Sequence, residues 1–269
     1  MPDGGTVVYL YDGSFDGLLC CVYESYTRHE IPVDILSADE PQGILYPTRE
    51  ITTNEAHAHR VYTSLSTRIS SEAEELARLG FLTCAPDKAM LIYRFICLGY
   101  RYGGKTAQML TNSTVCALTN AVKSLLNERH LLTGFIRFSE YKGALVAKIE
   151  PKNFVLPLLK AHFCERFAEE HFLIYDVTHG MALIYTPYKA EIIPIEHLQL
   201  PKEDETEQQY RKLWKQYYDT IAIESRYNPK CRMTHMPKRY WAYLTEFQQN
   251  SSEAYKIGNG TNYPTLPEK

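Results

Sequence analysis

The spacing of hydrophobic positions changes twice along the chain, and those changes divide it. Thr6–Tyr11 (TVVYLY) is an unbroken β-branched and aromatic run closed by Asp12-Gly13-Ser14, which predicts a buried strand ending in a turn. From Phe15 the apolar residues Leu18, Leu19, Val22, Tyr23 and Tyr26 fall at helical spacing, so the strand feeds into a helix. Glu30–Thr53 is interrupted by Pro32, Pro41 and Pro47 and predicts irregular chain with one short strand near Gly43–Tyr46. Residues 54–127 read as four helices, opened by Asn54, Ser71, Asp87 and Thr114, whose apolar stripes must pack into a helical layer.

After Gly134 the period becomes two. Phe135–Phe138 and Ala144–Ile149 predict an antiparallel hairpin around Ser139–Gly143. A helix over Asn153–Phe167 and strands at Phe172–Asp176, Met181–Thr186 and Glu191–Ile195 follow. The ββαβββ order over residues 134–195 predicts an antiparallel sheet with a helix on one face, an α+β fold. Past a polar linker at Pro201–Glu205, Thr206 and Gln209 form a capping box. Tyr210, Leu213, Trp214, Tyr217 and Ile221 make the apolar stripe of a last helix, which Asn228-Pro229 stops. Residues 206–243 thus hold a C-terminal helix and a motif that its prolines keep extended. Residues 1–247 are read as a single α+β domain and 248–269 as a flexible tail.

Composition removes several function classes. At 45% apolar and 23% charged the chain is not disordered, collagenous or a coiled coil. It has no eighteen-residue apolar run and no basic stretch leading an apolar core at its N-terminus, so neither a membrane span nor a secretion signal is expected. The seven cysteines are an odd number in mostly apolar surroundings, which suits reduced thiols and a cytoplasmic protein.

Few motifs carry recognisable chemistry. His57 and His59 would point about 200° apart on a helix, His162 and Cys164 share that defect, and Cys231 and His235 lack a second pair. With no Cys-x-x-Cys, neither a metal nor an iron–sulfur cluster is expected, and no other cofactor is expected either. Asp12–Gly17 lacks the spacing of a phosphate loop. Arg166 can reach Asp176 if the helix lies beside the strand, as a structural ion pair or a clamp. Glu140, His162, Asp176 and His235 could supply acid–base chemistry only if the fold brought them together.

Charge is uneven along the chain. Glu205–Tyr243 holds eight Lys/Arg against four Asp/Glu, a local +4 in a chain of net charge −3. Within it Arg226, Lys230, Arg232, Lys238 and Arg239 alternate with Tyr227, Tyr240 and Trp241. Cations neutralise phosphates and flat rings stack on bases, so this composition suits nucleic acid. The competing reading is a solvated basic tail packed down by its own rings.

The segments VVYLYDGSFDGLLCCVYESY, GFIRFSE, IEPKNFVLPLLKAHFCERF, IYDVTHG, IAIESRYNPK and HMPKRYW resemble a bacterial family labelled as DNA metabolism or repair proteins. The matching residues include Arg137, Phe138, Glu140, Glu150, Pro151, His162, Arg166, Asp176, Arg226, Asn228, Pro229, His235 and Pro237–Trp241. The resemblance implies a radical SAM protein of DNA repair or modification as partner. In some bacteria the equivalent domain is fused to a uracil-DNA glycosylase-like domain. It implies no catalytic residues. The expected role is therefore an accessory protein of DNA repair or modification that binds DNA, single-stranded or damaged, the radical SAM partner, or both. The alternatives are an enzyme acting on a nucleotide or damaged base, and a purely protein-binding scaffold whose acidic bulk meets a basic partner.

Overall fold

A computed structural model describes residues 7–38, 45–196, 198, 205–226 and 228–248. The fold is α+β, and the chain divides into two compact units, Met1–His130 with Pro151–Val155, and Leu131–Glu150 with Leu156–Lys269.

In the first unit a three-stranded sheet has β1 (Val8–Tyr11) at its centre, with β2 (Asp34–Ser37) and β3 (Thr48–Glu50) parallel on either side. A central parallel strand is covered on both faces, which explains an unbroken apolar run in place of alternation. Ser14 caps α1 (Phe15–Arg28) by accepting the Gly17 N–H at 2.9 Å. A Cβ on Gly17 would lie 2.2 Å from Asp12 Oδ1 and 2.9 Å from Thr53 Oγ1, so any larger residue here must displace the Asp12 carboxylate from its hydrogen bonds. Of the strand predicted near Gly43–Tyr46, Gly43 and Ile44 lie outside the described residues, and the strand observed begins at Thr48.

The helical layer follows as α2 (Glu55–Ser64), a π turn at Leu65–Ile69, α3 (Ser71–Phe81), α4 (Lys88–Tyr102) and α5 (Ser113–Phe135). Its stripes meet the sheet in one core that includes Tyr9, Leu18, Ile92, Phe95 and Leu118. Each such side chain contributes about 1.5–3 kcal/mol by leaving water. Asn54 caps α2 by accepting the His57 N–H at 3.1 Å. The expected strand at Phe135–Phe138 is not formed, because α5 runs on through Gly134 to Phe135. Gly134 weakens a helix by about 1 kcal/mol relative to alanine, and burial of Leu132 on the same helix outweighs that.

In the second unit the sheet order is β4 (Ser139–Tyr141), β5 (Ala144–Ile149), β6 (His171–Asp176), β7 (Met181–Thr186), β8 (Lys189–Pro194). Lys142 and Gly143, at φ 51° and 83°, form the two-residue turn of the first hairpin. The expected all-antiparallel sheet is corrected at one pair: β5 and β6 run parallel. The connecting helix α6 (Leu156–Arg166) spans about 16 Å, enough to return the chain to the end of β5 where it began. Phe138, Phe163, Phe167 and Phe172 interlock with ring centroids 5.2–6.3 Å apart.

The C-terminal motif is not extended. After α7 (Glu205–Thr220), Asn228 caps α8 (Pro229–His235), and a 3-10 turn covers Lys238–Tyr243. Pro229 sits where a helix needs no N–H donor, so it starts this helix and does not forbid it. The stripe expected to pack α7 is exposed at Tyr210, Leu213, Trp214, Tyr217 and Ile221. Most of the polar linker and of the C-terminal tail lies outside the described residues.

Candidate nucleic-acid interface and a tyrosine-lined cleft

In the basic motif the described rings pack down, and Arg232, Lys238 and Arg239 lie over them. Tyr240 is 3% exposed and lies 5.6 Å from the Phe135 ring, so it has no face to offer a base. Trp241 stacks on Phe247 at 4.6 Å, and its Nε1–H donates to the Met236 carbonyl at 3.0 Å. The Arg232 guanidinium lies over both of these rings, at 5.1 and 5.4 Å, as a packing cation. Arg226, Lys230, Lys238 and Arg239 are exposed. Arg239 donates to the Tyr240 hydroxyl and covers its ring. Tyr227 lies outside the described residues.

The acid–base candidates are not assembled. Asp176 is fully buried at the end of β6, where it accepts the His179 backbone N–H at 3.1 Å and bonds His179 Nδ1 at 2.7 Å. The expected Arg166–Asp176 pair is thus replaced by a local partner, and Arg166 instead lies over the Phe167 ring. Glu140 is exposed on β4, His162 is exposed on α6, and His235 is exposed at the end of α8. Among the described residues no hydrogen bond or ion pair joins any two of Glu140, His162, Asp176 and His235. No group of three or more His, Cys, Asp or Glu among them is placed to hold a metal ion. No helix among them is long and apolar enough to cross a membrane.

The turn after β1 supplies its own anion. Asp12 accepts from Ser14 N–H and Oγ–H and from Thr53 Oγ1–H, and the Ser14 bonds first of all hold its carboxyl below the ordinary value. A phosphate at this helix N-terminus would meet that carboxylate.

Sequence reasoning missed a cleft of about 1050 Å³ in the first unit, bounded by α1, α4 and the start of α5. Tyr26, Tyr93 and Tyr100 line it, with Met90, Arg94 and Arg101. Tyr26 and Tyr100 meet edge to face at 5.3 Å. Burial pushes the Tyr26 and Tyr93 phenols and the Cys97 thiol above their ordinary values, so all three are neutral near pH 7. The lining also holds a carboxylate, Glu30, which accepts from Tyr9 at 2.6 Å and pairs with Arg49 at 3.4 Å. The available signal was Tyr93 and Tyr100, seven residues apart on one face of α4.

Residues 86–246, more than half of the chain, match the model of a domain of unknown function, DUF4130. A search of curated proteins returned no match.

Proposed function

The chain belongs to the DUF4130 family, and we propose that it is a nucleic-acid-binding accessory protein of DNA repair or modification. The observation that carries this reading is the division of labour in the basic motif. Of its described rings, Tyr240 packs on Phe135 and Trp241 on Phe247, while Arg226, Lys230, Lys238 and Arg239 stay exposed. Such a surface suits phosphates and not bases, so binding is sequence-independent and falls steeply with salt.

Fluorescence anisotropy with single-stranded and duplex DNA at several salt concentrations tests it. Lys230→Ala/Lys238→Ala is expected to lower the salt slope by roughly 0.7–0.9 for each phosphate no longer neutralised. Tyr240→Ala is expected to leave that slope unchanged and to unfold more easily, since the ring is core and not platform. An absence of DNA binding at low salt, or a double variant with wild-type affinity and slope, rejects the proposal.

A second reading, docking of a protein partner, is favoured by the exposed face of α7. Tyr210 and Leu213 there are 66% and 60% exposed, an unusual cost in water for a helix with this stripe. The resemblance names the chemistry of that partner as a radical SAM protein, and loss of the DNA reading would leave this one.

A further inference from the structure

We propose that the tyrosine-lined cleft of the first unit binds a nucleoside monophosphate group. This goes beyond the reading of the basic motif, which lies in the other unit. Three features of the cleft select the ligand class. Its walls are flat rings and apolar side chains: Tyr26, Tyr46 and Tyr100 beside Pro32, Met90 and Leu98. Tyr26 and Tyr46 keep 47% and 52% of their surface exposed, so rings are open to a planar partner.

The second feature is charge. Arg94 and Arg101 lie seven residues apart on α4, within about 20° of one direction on a helix. Neither forms an ion pair among the described residues, while the carboxylate in the lining, Glu30, is held by Tyr9 and Arg49. The cleft is therefore lined by two arginines about 10 Å apart along α4, Arg101 lying over the Tyr102 ring at 5.3 Å, and a guanidinium is the side chain best suited to pair with a phosphate. The third feature is hydrogen bonding at the floor. The Ser25 hydroxyl donates to the Glu30 carbonyl at 2.7 Å and lies 2.6 Å from the Tyr93 hydroxyl, beside the neutral Cys97 thiol. These groups bond one another, so the floor is a polar surface already satisfied within the protein, on which a planar ring can rest without stranding a donor.

A ring-bearing anion satisfies all three features, and a mononucleotide combines a base for the tyrosines with a phosphate for the arginines. An inorganic anion leaves the rings unused, and an uncharged aromatic leaves the arginines unused. The group can come from a free nucleotide or from the 5′-phosphorylated end of a strand.

Isothermal titration of the full chain with AMP and TMP tests this, with adenosine and inorganic phosphate as the separated halves. Measurable binding of a mononucleotide is expected, with adenosine at least tenfold weaker. Arg94→Ala/Arg101→Ala is expected to weaken binding by about tenfold or more, and Tyr46→Ala by about tenfold. These side chains are exposed, and thermal melts of both variants check the fold. Competition by a 5′-phosphorylated hexanucleotide assigns the strand end as source, and competition by mononucleotides alone assigns the free nucleotide. No binding of either mononucleotide at millimolar concentration, or binding untouched by both variants, overturns the proposal. None of these residues belongs to the basic motif, so the two proposals fail separately.

Discussion

Glu128→Ala is expected to lower the free energy of unfolding by about 4 kcal/mol, and Glu128→Gln by about half as much. Glu128 is 2% exposed on α5, and both its oxygens are occupied. Oε1 accepts the Lys152 N–H at 3.0 Å, and Oε2 accepts the Asn153 N–H at 2.8 Å and the Asn153 Nδ2–H at 2.6 Å. Asn153 extends the network by accepting the Cys84 N–H at 2.9 Å, and Phe154 N–H donates to the Leu82 carbonyl at 2.9 Å. These bonds account for the short segment Pro151–Val155 belonging to the first unit while the chain on both sides of it belongs to the second.

Alanine would strand the buried N–H and amide of Asn153 and the half-buried N–H of Lys152, each costing about 1–3 kcal/mol, with their sum reduced by local rearrangement and by water at Lys152. Glutamine keeps one acceptor oxygen but turns an amide N–H toward a donor. Urea unfolding followed by circular dichroism measures both, and an unchanged m-value assigns the loss to the folded state. A cost below about 1 kcal/mol for alanine would show that the apolar packing of Val155, not this carboxyl, fixes the segment.

How much of this was legible differs from one residue to the next. The strand Met181–Thr186 was readable to its ends, because a short apolar run and the turn residues Thr178-His179-Gly180 that open it lie within a few residues of each other. The parallel pairing of β5 with β6 was not, since ββαβββ is compatible with either direction and the path of α6 decides. Opposite charge suggested Arg166 for Asp176. Yet His179, three residues on, reaches the carboxylate with far less chain to order. Composition identified the basic motif and left its rings open to two uses, and only the burial of Tyr240 separates packing from stacking. Spacing places Tyr93 and Tyr100 on one face of α4 but leaves Tyr26 of α1 unjoined to them, because a spacing rule reads one helix at a time.

Glu246→Gln is expected to cost about 2–3 kcal/mol near pH 7, and the gap from wild type is expected to narrow in acid. Glu246 has a side chain 1% exposed and accepts from Arg137 Nη2–H at 2.8 Å, Arg137 Nε–H at 3.2 Å and Trp214 Nε1–H at 3.0 Å. Arg137, 25% exposed, also donates through Nη1 to the Gly134 and Ile136 carbonyls, so one guanidinium ties the end of α5 to the chain after α7. Burial opposes ionisation of Glu246, but the hydrogen bonds of Arg137 and Trp214 outweigh it and hold the carboxyl below its ordinary value.

A carboxyl whose folded pKa is depressed stabilises the fold fully above its unfolded value of about 4.3, and that stability is lost as pH falls through the folded pKa. The glutamine variant has no such group to titrate. Thermal or urea unfolding of both proteins from pH 7 to pH 3 should show wild type losing stability on the acid side more steeply than the variant. Arg137→Lys should resemble the variant at neutral pH, because an ammonium group cannot donate along two parallel bonds. Curves that stay a constant distance apart down to pH 3 would mean that Glu246 acts through packing and its charge contributes nothing.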